Sequence, residues 1–270
     1  MLGHDIVEAL DGRDVSAPDR AALDITDERA VRDAVAAHDV VINCAAYTDV
    51  DRAEAEPERA LAVNGAGVGV LAEASAAVGA RFVHVSTDYV FDGRGSEPYS
   101  EDAPLNPVNA YGRSKADGER RAAAAGPHLL VRTAWLYGAH GSNFAATMHR
   151  LSRERSSVEV VDDQIGQPTW TRDLAHRIVE MLDAHCPPGI YHATNGGTAT
   201  WFEFARAVFS ELGLDPDRVR PISSSAFPRP AARPAYSVLG HDAWARVGLP
   251  ALRPWRAALS DAVAAGVLAA

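Results

Sequence analysis

Tyr111 and Lys115 stand four residues apart in the run Asn109-Ala-Tyr-Gly-Arg-Ser-Lys-Ala-Asp-Gly-Glu119. On a helix that spacing places the two side chains one above the other on one face. A phenol beside an ammonium is a proton-transfer device. A free tyrosine titrates near ~10, and a cation held close favours the phenolate. Such a tyrosine can give a proton to a forming alkoxide or take one from an alcohol. The pair alone fits an ordinary exposed helix equally well, because the two residue types meet at this spacing by chance. A second stretch narrows the choice. Arg81-Phe-Val-His-Val-Ser-Thr87 reads as a buried strand that opens into the polar loop Asp88-Tyr-Val-Phe-Asp-Gly93. In an open α/β sheet ligands gather at the carboxyl ends of strands. Thr87 is placed there, with a hydroxyl able to bond a carbonyl oxygen.

The elements that must position these residues follow from the surrounding pattern. Pro107 ends an extended loop, Asn109 can cap, and an alanine-rich helix carries Tyr111. Before it, His4 to Leu10 reads as a short helix and Asp14 to Ser16 as a strand remnant. Thr26 is expected to cap a helix through Ala37, with Asp27 and Glu28 in its first turn, where the helix dipole favours acids. Val40 to Cys44 is a continuous apolar strand, as a parallel sheet covered on both faces requires. Pro57 opens a helix to about Val78, and strand Leu129 to Thr133 follows the Tyr111 helix. This alternation implies an α/β fold, a Rossmann-like, doubly wound parallel sheet. Later elements are helices Asn143 to Arg153 and Thr171 to Ala184, strands Val158 to Val161 and Gly189 to His192, and a helix from the capping box Thr200-Trp-Phe-Glu203 to Leu212. Pro216 to Pro234 reads as irregular, and two short helices close the chain. The expected division is a dinucleotide-binding unit, 1–138 plus about 157–195, and a smaller substrate unit, about 139–156 plus 196–270.

Composition bounds the function classes. The 270 residues carry a net charge of -10, with 47% hydrophobic and 23% charged residues. An acidic surface does not favour phosphate backbones or anionic membranes. Neither nucleic acid nor membrane is therefore an expected partner, and an anionic ligand needs a local cationic or amide-lined site. The two cysteines, Cys44 and Cys186, do not suggest a disulfide framework, and no Cys/His cluster has zinc spacing, so no metal is expected. No apolar run is read as reaching membrane length, and the start lacks the order of a signal peptide. The expectation is a cytoplasmic protein, with monomer or homodimer left open.

Thr87 with Tyr111-x-x-x-Lys115 resembles the catalytic set of the extended short-chain dehydrogenase/reductases. Four longer strings narrow the resemblance to the dTDP-4-dehydrorhamnose reductase family: Asn43-Cys-Ala-Ala-Tyr-Thr-Asp-Val-Asp51, Ser86-Thr-Asp-Tyr-Val-Phe-Asp-Gly93, Arg132-Thr-Ala-Trp135 and Asp162-Asp-Gln-Ile-Gly-Gln-Pro-Thr169. The similarity runs from Gly3 almost to the C-terminus. It implies NAD(P)H-dependent reduction of the C4 ketone of dTDP-4-dehydro-L-rhamnose. Tyr111 would protonate the oxyanion, Lys115 would lower the tyrosine pKa and bind the nicotinamide ribose, and Thr87 would orient the ketone. A related dTDP-deoxysugar 4-ketoreductase or sugar epimerase would use the same set. A non-catalytic, cofactor-binding regulatory subunit of methionine adenosyltransferase is an alternative of another class.

By the same resemblance Leu2, Gly3, Asp24, Ile25, Ala45, Ala46, Tyr47 and Thr48 join Tyr111 and Lys115 at the cofactor, NADPH or NADH. Val50, Asp51, Thr87, Asp88 and Trp135 face the dTDP-sugar. Each has a plainer reading. Ala45 and Ala46 also suit a strand packed tightly under a helix, Asp24 suits a turn, and Asp51 suits a cap for a short helix. Trp135 suits a core position. Arg233-Pro234 and Gln167-Pro168-Thr169 could reach the diphosphate, or Arg233 could pair within its loop. Asn64 could join a catalytic relay or simply hold a buried partner. No acid or cation stands clearly at the place that discriminates NAD from NADP, Arg20 being a loop residue, so that choice stays open. The family also implies an opening strand and a Gly-x-x-Gly-x-x-Gly turn whose amides hold pyrophosphate. Here the chain begins Met1-Leu2-Gly3-His4, and Gly3 aligns with the last of those glycines. The expectation is roughly ten further encoded residues upstream, and weak NAD(P)H binding and easy unfolding of the 270 residues alone.

Overall fold

The computed structural model describes residues 1–268. The last two positions of the expected substrate unit lie outside the described residues. Four strands form the central sheet in the order Val40–Asn43, Arg81–Thr87, His128–Thr133, Gly189–His192, and every pairing is parallel. Because side chains alternate along a strand, the sheet buries both faces. Val83, Leu129 and Val131 pack with Leu2, Ile6, Leu174 and Ile178 from helices Leu2–Ala9 and Thr171–Asp183. Phe82 turns to the opposite core, with Val31, Val68, Leu71 and Ala122. The doubly wound α/β expectation is met.

A separate core gathers Met148, Val158, Val160, Phe204, Phe209, Val219, Trp255 and Leu259. Strand Val158–Val161 belongs to it, pairing in parallel with Val219–Ile222 rather than with the central sheet. That second strand lies inside the stretch read as irregular. Its short apolar signal, Val-Arg-Pro-Ile, is interrupted by a charge and a proline, and only a distant partner makes it a strand.

Local signals placed most elements within two residues. Asn109 caps helix Ala110–Ala125 through Gly112 N, and Asn143 caps helix Phe144–Glu154 through Ala146 N. The Thr200/Glu203 capping box makes both of its bonds. Three further expectations fail. Residues 14–16 are exposed and form no strand. Helix Glu28–Val35 is capped by Asp27, because Thr26 is occupied by Asp24, whose Oδ1 accepts its amide at 2.9 Å and its hydroxyl at 2.8 Å. The helical run Pro57–Val78 is 22 residues, long and apolar enough by length and composition to cross a membrane. Half of its most apolar window is buried within the fold.

That run is not uniform. Ala62–Gly67 is a π-helical turn between α-helical segments Pro57–Leu61 and Val68–Val78. It brings the Asn64 carbonyl against Gly118, where an added Cβ would lie 2.1 Å from the oxygen. Gly112 meets the Tyr89 carbonyl at the same spacing. Glycine is thus required on both sides of the helix that carries Tyr111, so that neighbouring backbones can approach. Gly118→Ala is expected to lower stability by about 1–3 kcal/mol through overpacking, read as a lowered denaturant midpoint. An unchanged midpoint would mean that the Asn64 backbone yields freely.

Candidate active site

The Arg81–Thr87 strand ends at Thr87, and a 3₁₀ turn, Asp88–Val90, follows at once. The Thr87 hydroxyl donates to Asp88 Oδ1 at 2.9 Å and accepts from the Tyr89 amide at 3.2 Å. Helix Ala110–Ala125 packs against this turn through Gly112, and the rings of Tyr111 and Tyr89 meet edge to face at 5.8 Å. Tyr111 and Thr87 therefore come together at a strand end, as the sequence suggested. Burial pushes the Tyr111 phenol up to about 12, the Thr87 hydroxyl pulls the other way, and the Asp88 charge adds to the rise.

Lys115 is placed differently from the simple phenol–ammonium pair. Its Nζ donates to Val85 O at 2.7 Å and lies 3.3 Å from His84 Nε2. It is not among the causes of the Tyr111 shift. Lys115 is thus turned to the strand and not to the phenol, and burial is the largest influence on Tyr111. Lys115 itself is 2% exposed, and burial pulls it down to about 8 against the opposing influence of Glu119 and Cys44.

The polar groups behind the helix form two sets. Glu119 accepts from Arg132 Nη2 at 2.8 Å and from the Ser86 hydroxyl at 2.5 Å, all buried. Arg132 Nη1 also donates to Glu101 O and faces His192 Nε2. In the second set Asn64 accepts from the Tyr47 amide and donates to the Tyr47 carbonyl and to Ser114 Oγ, which in turn donates to Tyr111 O. Asn64 thereby ties the loop after Val40–Asn43 to the Tyr111 helix through backbone groups, and it makes no bond to the Tyr111 or Lys115 side chains.

The other singled-out residues separate. Gly3 lies over Cys44, Leu2 is part of the core, and Ala45 and Thr48 are exposed, with Ala46 and Tyr47 half-buried, in the loop at the strand's carboxyl end. The Tyr47 hydroxyl donates to Glu56. Asp24 is the turn residue described above, and Ile25 is buried against Gly67. Val50 is half-buried beside Asp51. Asp51 makes no side-chain cap bond; Asp49 does that, accepting from Arg52 N at 3.0 Å. Asp51 instead binds Arg229, Arg233 and the Ala231 amide, which ties the 223–236 loop down. Burial raises its carboxyl, and these donors outweigh that and hold it below its ordinary value. Asp88 is 2% exposed and turned into the protein, where burial pushes its carboxyl up to about 6 against the nearby Ser237 and Thr87 hydroxyls, and its Oδ2 has no hydrogen-bond partner. Gln167 is spent on the Leu239 backbone, accepting from its amide at 2.8 Å and donating to its carbonyl, so its expected reach to a diphosphate is not met. Trp135 has a positive φ of 46° and stacks on Trp201 at 3.6 Å, with its ring over Gly166.

Sequence reasoning passed over His84, Glu119, Ser237 and Arg229. The signal for His84 was present, because a histidine in Phe-Val-His-Val interrupts an apolar strand. Arg229 carried no such mark, and its partner is 178 residues away. Among the described residues, Asp5, Glu8 and His140 have ligand atoms within 4.8 Å of one another.

A parallel, doubly wound sheet whose strand-end threonine meets a Tyr-x-x-x-Lys helix defines a short-chain dehydrogenase/reductase of the extended kind. Within that class, residues 1–267 match the family described as the RmlD substrate binding domain, and the chain belongs to that family. It is 53% identical over 271 residues to dTDP-4-dehydrorhamnose reductase of Streptomyces griseus, covering 97% of this chain and 89% of that one. It is 48% identical over 268 residues to dTDP-4-keto-6-deoxy-D-glucose reductase of Streptomyces niveus, covering 97% and 91%. The structure of dTDP-4-dehydrorhamnose reductase from Bacillus anthracis str. Ames, in complex with NADP, superposes with a TM-score of 0.95 at 39% identity, covering 98% and 95%.

Proposed function

We propose that this protein is an NAD(P)H-dependent reductase of the C4 ketone of dTDP-4-dehydro-L-rhamnose, giving dTDP-L-rhamnose. The observation that carries the reading is the packing of the Tyr111 helix on the turn that follows Thr87, at the end of a parallel strand. A tyrosine raised to about 12 is fully protonated at neutral pH, as a proton donor must be. Tyr111 gives that proton to the oxygen that develops negative charge at C4. Thr87 swings its hydroxyl from Asp88 to the ketone oxygen and orients it. Trp135, braced on Trp201, is the substrate wall, and Val50 and Asp51 line the entrance beneath the 223–236 loop. Asp88 acts from behind Thr87.

The residues present fit a nicotinamide cofactor. Lys115 is a buried cation with no carboxylate against it, and small side chains stand nearby, Ala45 and Ala46 after strand Val40–Asn43 and Gly3 in helix Leu2–Ala9 over Cys44. These, with Leu2, Tyr47, Thr48, Tyr111 and Lys115, would hold it, and Asp24 and Ile25 mark the far side. Bound NAD(P)H supplies the hydride. The sheet-centred core forms the cofactor unit. The core around Phe204 forms the substrate unit, and the pairing of Val158–Val161 with Val219–Ile222 supports assigning that strand to it. A cytoplasmic setting belongs to the same proposal, as does the lack of nucleic-acid and membrane partners, which the net charge of -10 supports.

The test is NAD(P)H consumption with dTDP-4-dehydro-L-rhamnose and identification of the product's C4 configuration. A second reading, reduction of another dTDP-4-keto sugar, is favoured by the relative from Streptomyces niveus, and the same assay run with dTDP-4-keto-6-deoxy-D-glucose separates the two. Thr87→Val keeps shape but cannot bond the ketone. Turnover should fall roughly tenfold or more, the scale of one lost hydrogen bond in a site. An unchanged rate would assign Thr87 to the loop's structure alone.

A further inference from the structure

Of the 26 lysine and arginine residues, 25 are arginine and one is lysine, Lys115. Arginine cannot shed its proton in a protein, whereas a buried lysine can. The only basic side chain here able to change charge by losing an ammonium proton is therefore also the one a helical turn from Tyr111.

The hydrogen-bond chain beneath it has a direction. The Ala45 amide donates to Asn43 Oδ1 at 3.0 Å, which fixes the side-chain amide. Asn43 Nδ2 then lies 3.1 Å from His84 Nδ1. An amide nitrogen only donates, so Nδ1 is the acceptor, and in a neutral imidazole the proton sits on Nε2. His84 is fully buried, and burial, with the Lys115 charge, holds it well below its ordinary value, so the ring is neutral. Its Nε2–H points at Lys115 Nζ, 3.3 Å away. Against an ammonium, that arrangement sets donor against donor. Against a neutral amine, the lone pair accepts from Nε2–H while one amine hydrogen goes to Val85 O at 2.7 Å.

We propose that Asn43 and His84 are positioning residues that hold the Nε2–H tautomer against Lys115 and so make this lysine a group whose charge titrates, instead of a permanent cation beside the reaction. Of the other ionisable groups that face the pair, Glu119 and Cys44 oppose the fall of the lysine and are outweighed by burial. From its own helix come Tyr111 and Glu119, and Glu119 is held by Arg132 and Ser86. From the neighbouring strands come Cys44, whose thiol burial pushes up to about 12 and so keeps neutral, and His128, which acts on His84 in the same sense as Lys115.

Having a single lysine makes the experiment direct. Protein labelled with ¹³Cε/¹⁵Nζ-lysine gives one side-chain signal, to be titrated from about pH 6 to 11. Its midpoint is expected at least one pH unit below the ordinary ~10.4. Long-range ¹⁵N-histidine spectra, with His84 identified by the signal lost in His84→Gln, are expected to show the Nε2–H tautomer. In Asn43→Asp the carboxylate accepts from Nδ1–H and inverts the tautomer. Nε2 then accepts from the ammonium, and the lysine midpoint should rise by at least one pH unit. The same substitution on the His84→Gln background, which has no tautomer to invert, should move it clearly less. A lysine midpoint at the ordinary value, an Nδ1–H or charged His84 in the parent, or equal shifts on the two backgrounds would each overturn the proposal. The kinetic arm rests on the proposed reductase reading. The alkaline limb of kcat/KM should follow the lysine midpoint in parent and Asn43→Asp, and a limb that stays put while the midpoint moves would overturn the link between the lysine's charge and the reaction. A protein with the expected spectra but no reductase activity would sink the reductase reading alone.

Discussion

Tyr111→Phe should lower turnover by about 10²–10⁴-fold, the range for loss of a positioned general acid. The substitution removes one oxygen and keeps the ring, so the edge-to-face packing on Tyr89 at 5.8 Å persists. Thr87 loses a neighbour but retains its bonds to Asp88 and the Tyr89 amide. NAD(P)H binding and the thermal midpoint should therefore stay close to those of the parent. Steady-state kinetics and a cofactor fluorescence titration separate the two effects. Near-parental turnover would exclude Tyr111 as the proton donor. A loss of cofactor binding equal to the loss of rate would assign the phenol to binding instead.

Lys115→Met should have opposite effects on stability and activity. The ammonium is 2% exposed, without a carboxylate against it, and is pulled from its ordinary 10.5 down to about 8. A depression of that size corresponds to roughly 3 kcal/mol of folding free energy withheld while the group is charged. Below pH 8 both the folded and unfolded chains carry the proton, and the folded state bears the full cost. Between about 8 and 10.5 the unfolded chain holds the extra proton, so the stability of the parent rises with pH across that window. Met fills similar volume without charge. The variant should gain about 1–3 kcal/mol at neutral pH, lack the rise above pH 8, and lose most turnover. Urea unfolding at three pH values reads the first two effects. A less stable variant, or an unchanged rise, would show that the ammonium is not destabilised by its site.

The sequence by itself determined the local half of this protein. Asn109 is a cap because its side chain reaches an amide three residues on, and Tyr111 and Lys115 share a face because a helix turns every 3.6 residues. Arg81–Thr87 is a strand with a hydroxyl at its end because an apolar run stops at Ser-Thr-Asp. The doubly wound sheet follows from the alternation of such segments, and the ordered strings placed the family. These features depend on neighbours within a few residues, so a linear pattern carries them. Only the tertiary structure decided where the polar atoms go. Lys115 faces His84, 31 residues away, and not the phenol four residues before it. Asp51 is held by Arg229 and Arg233, Gln167 is spent on Leu239, and Val219–Ile222 becomes a strand by meeting Val158–Val161. A buried donor or acceptor must find a partner wherever the packed chain offers one. That partner is chosen by the approach of distant backbones, such as Gly118 to Asn64 and Gly112 to Tyr89, which no spacing along the sequence records.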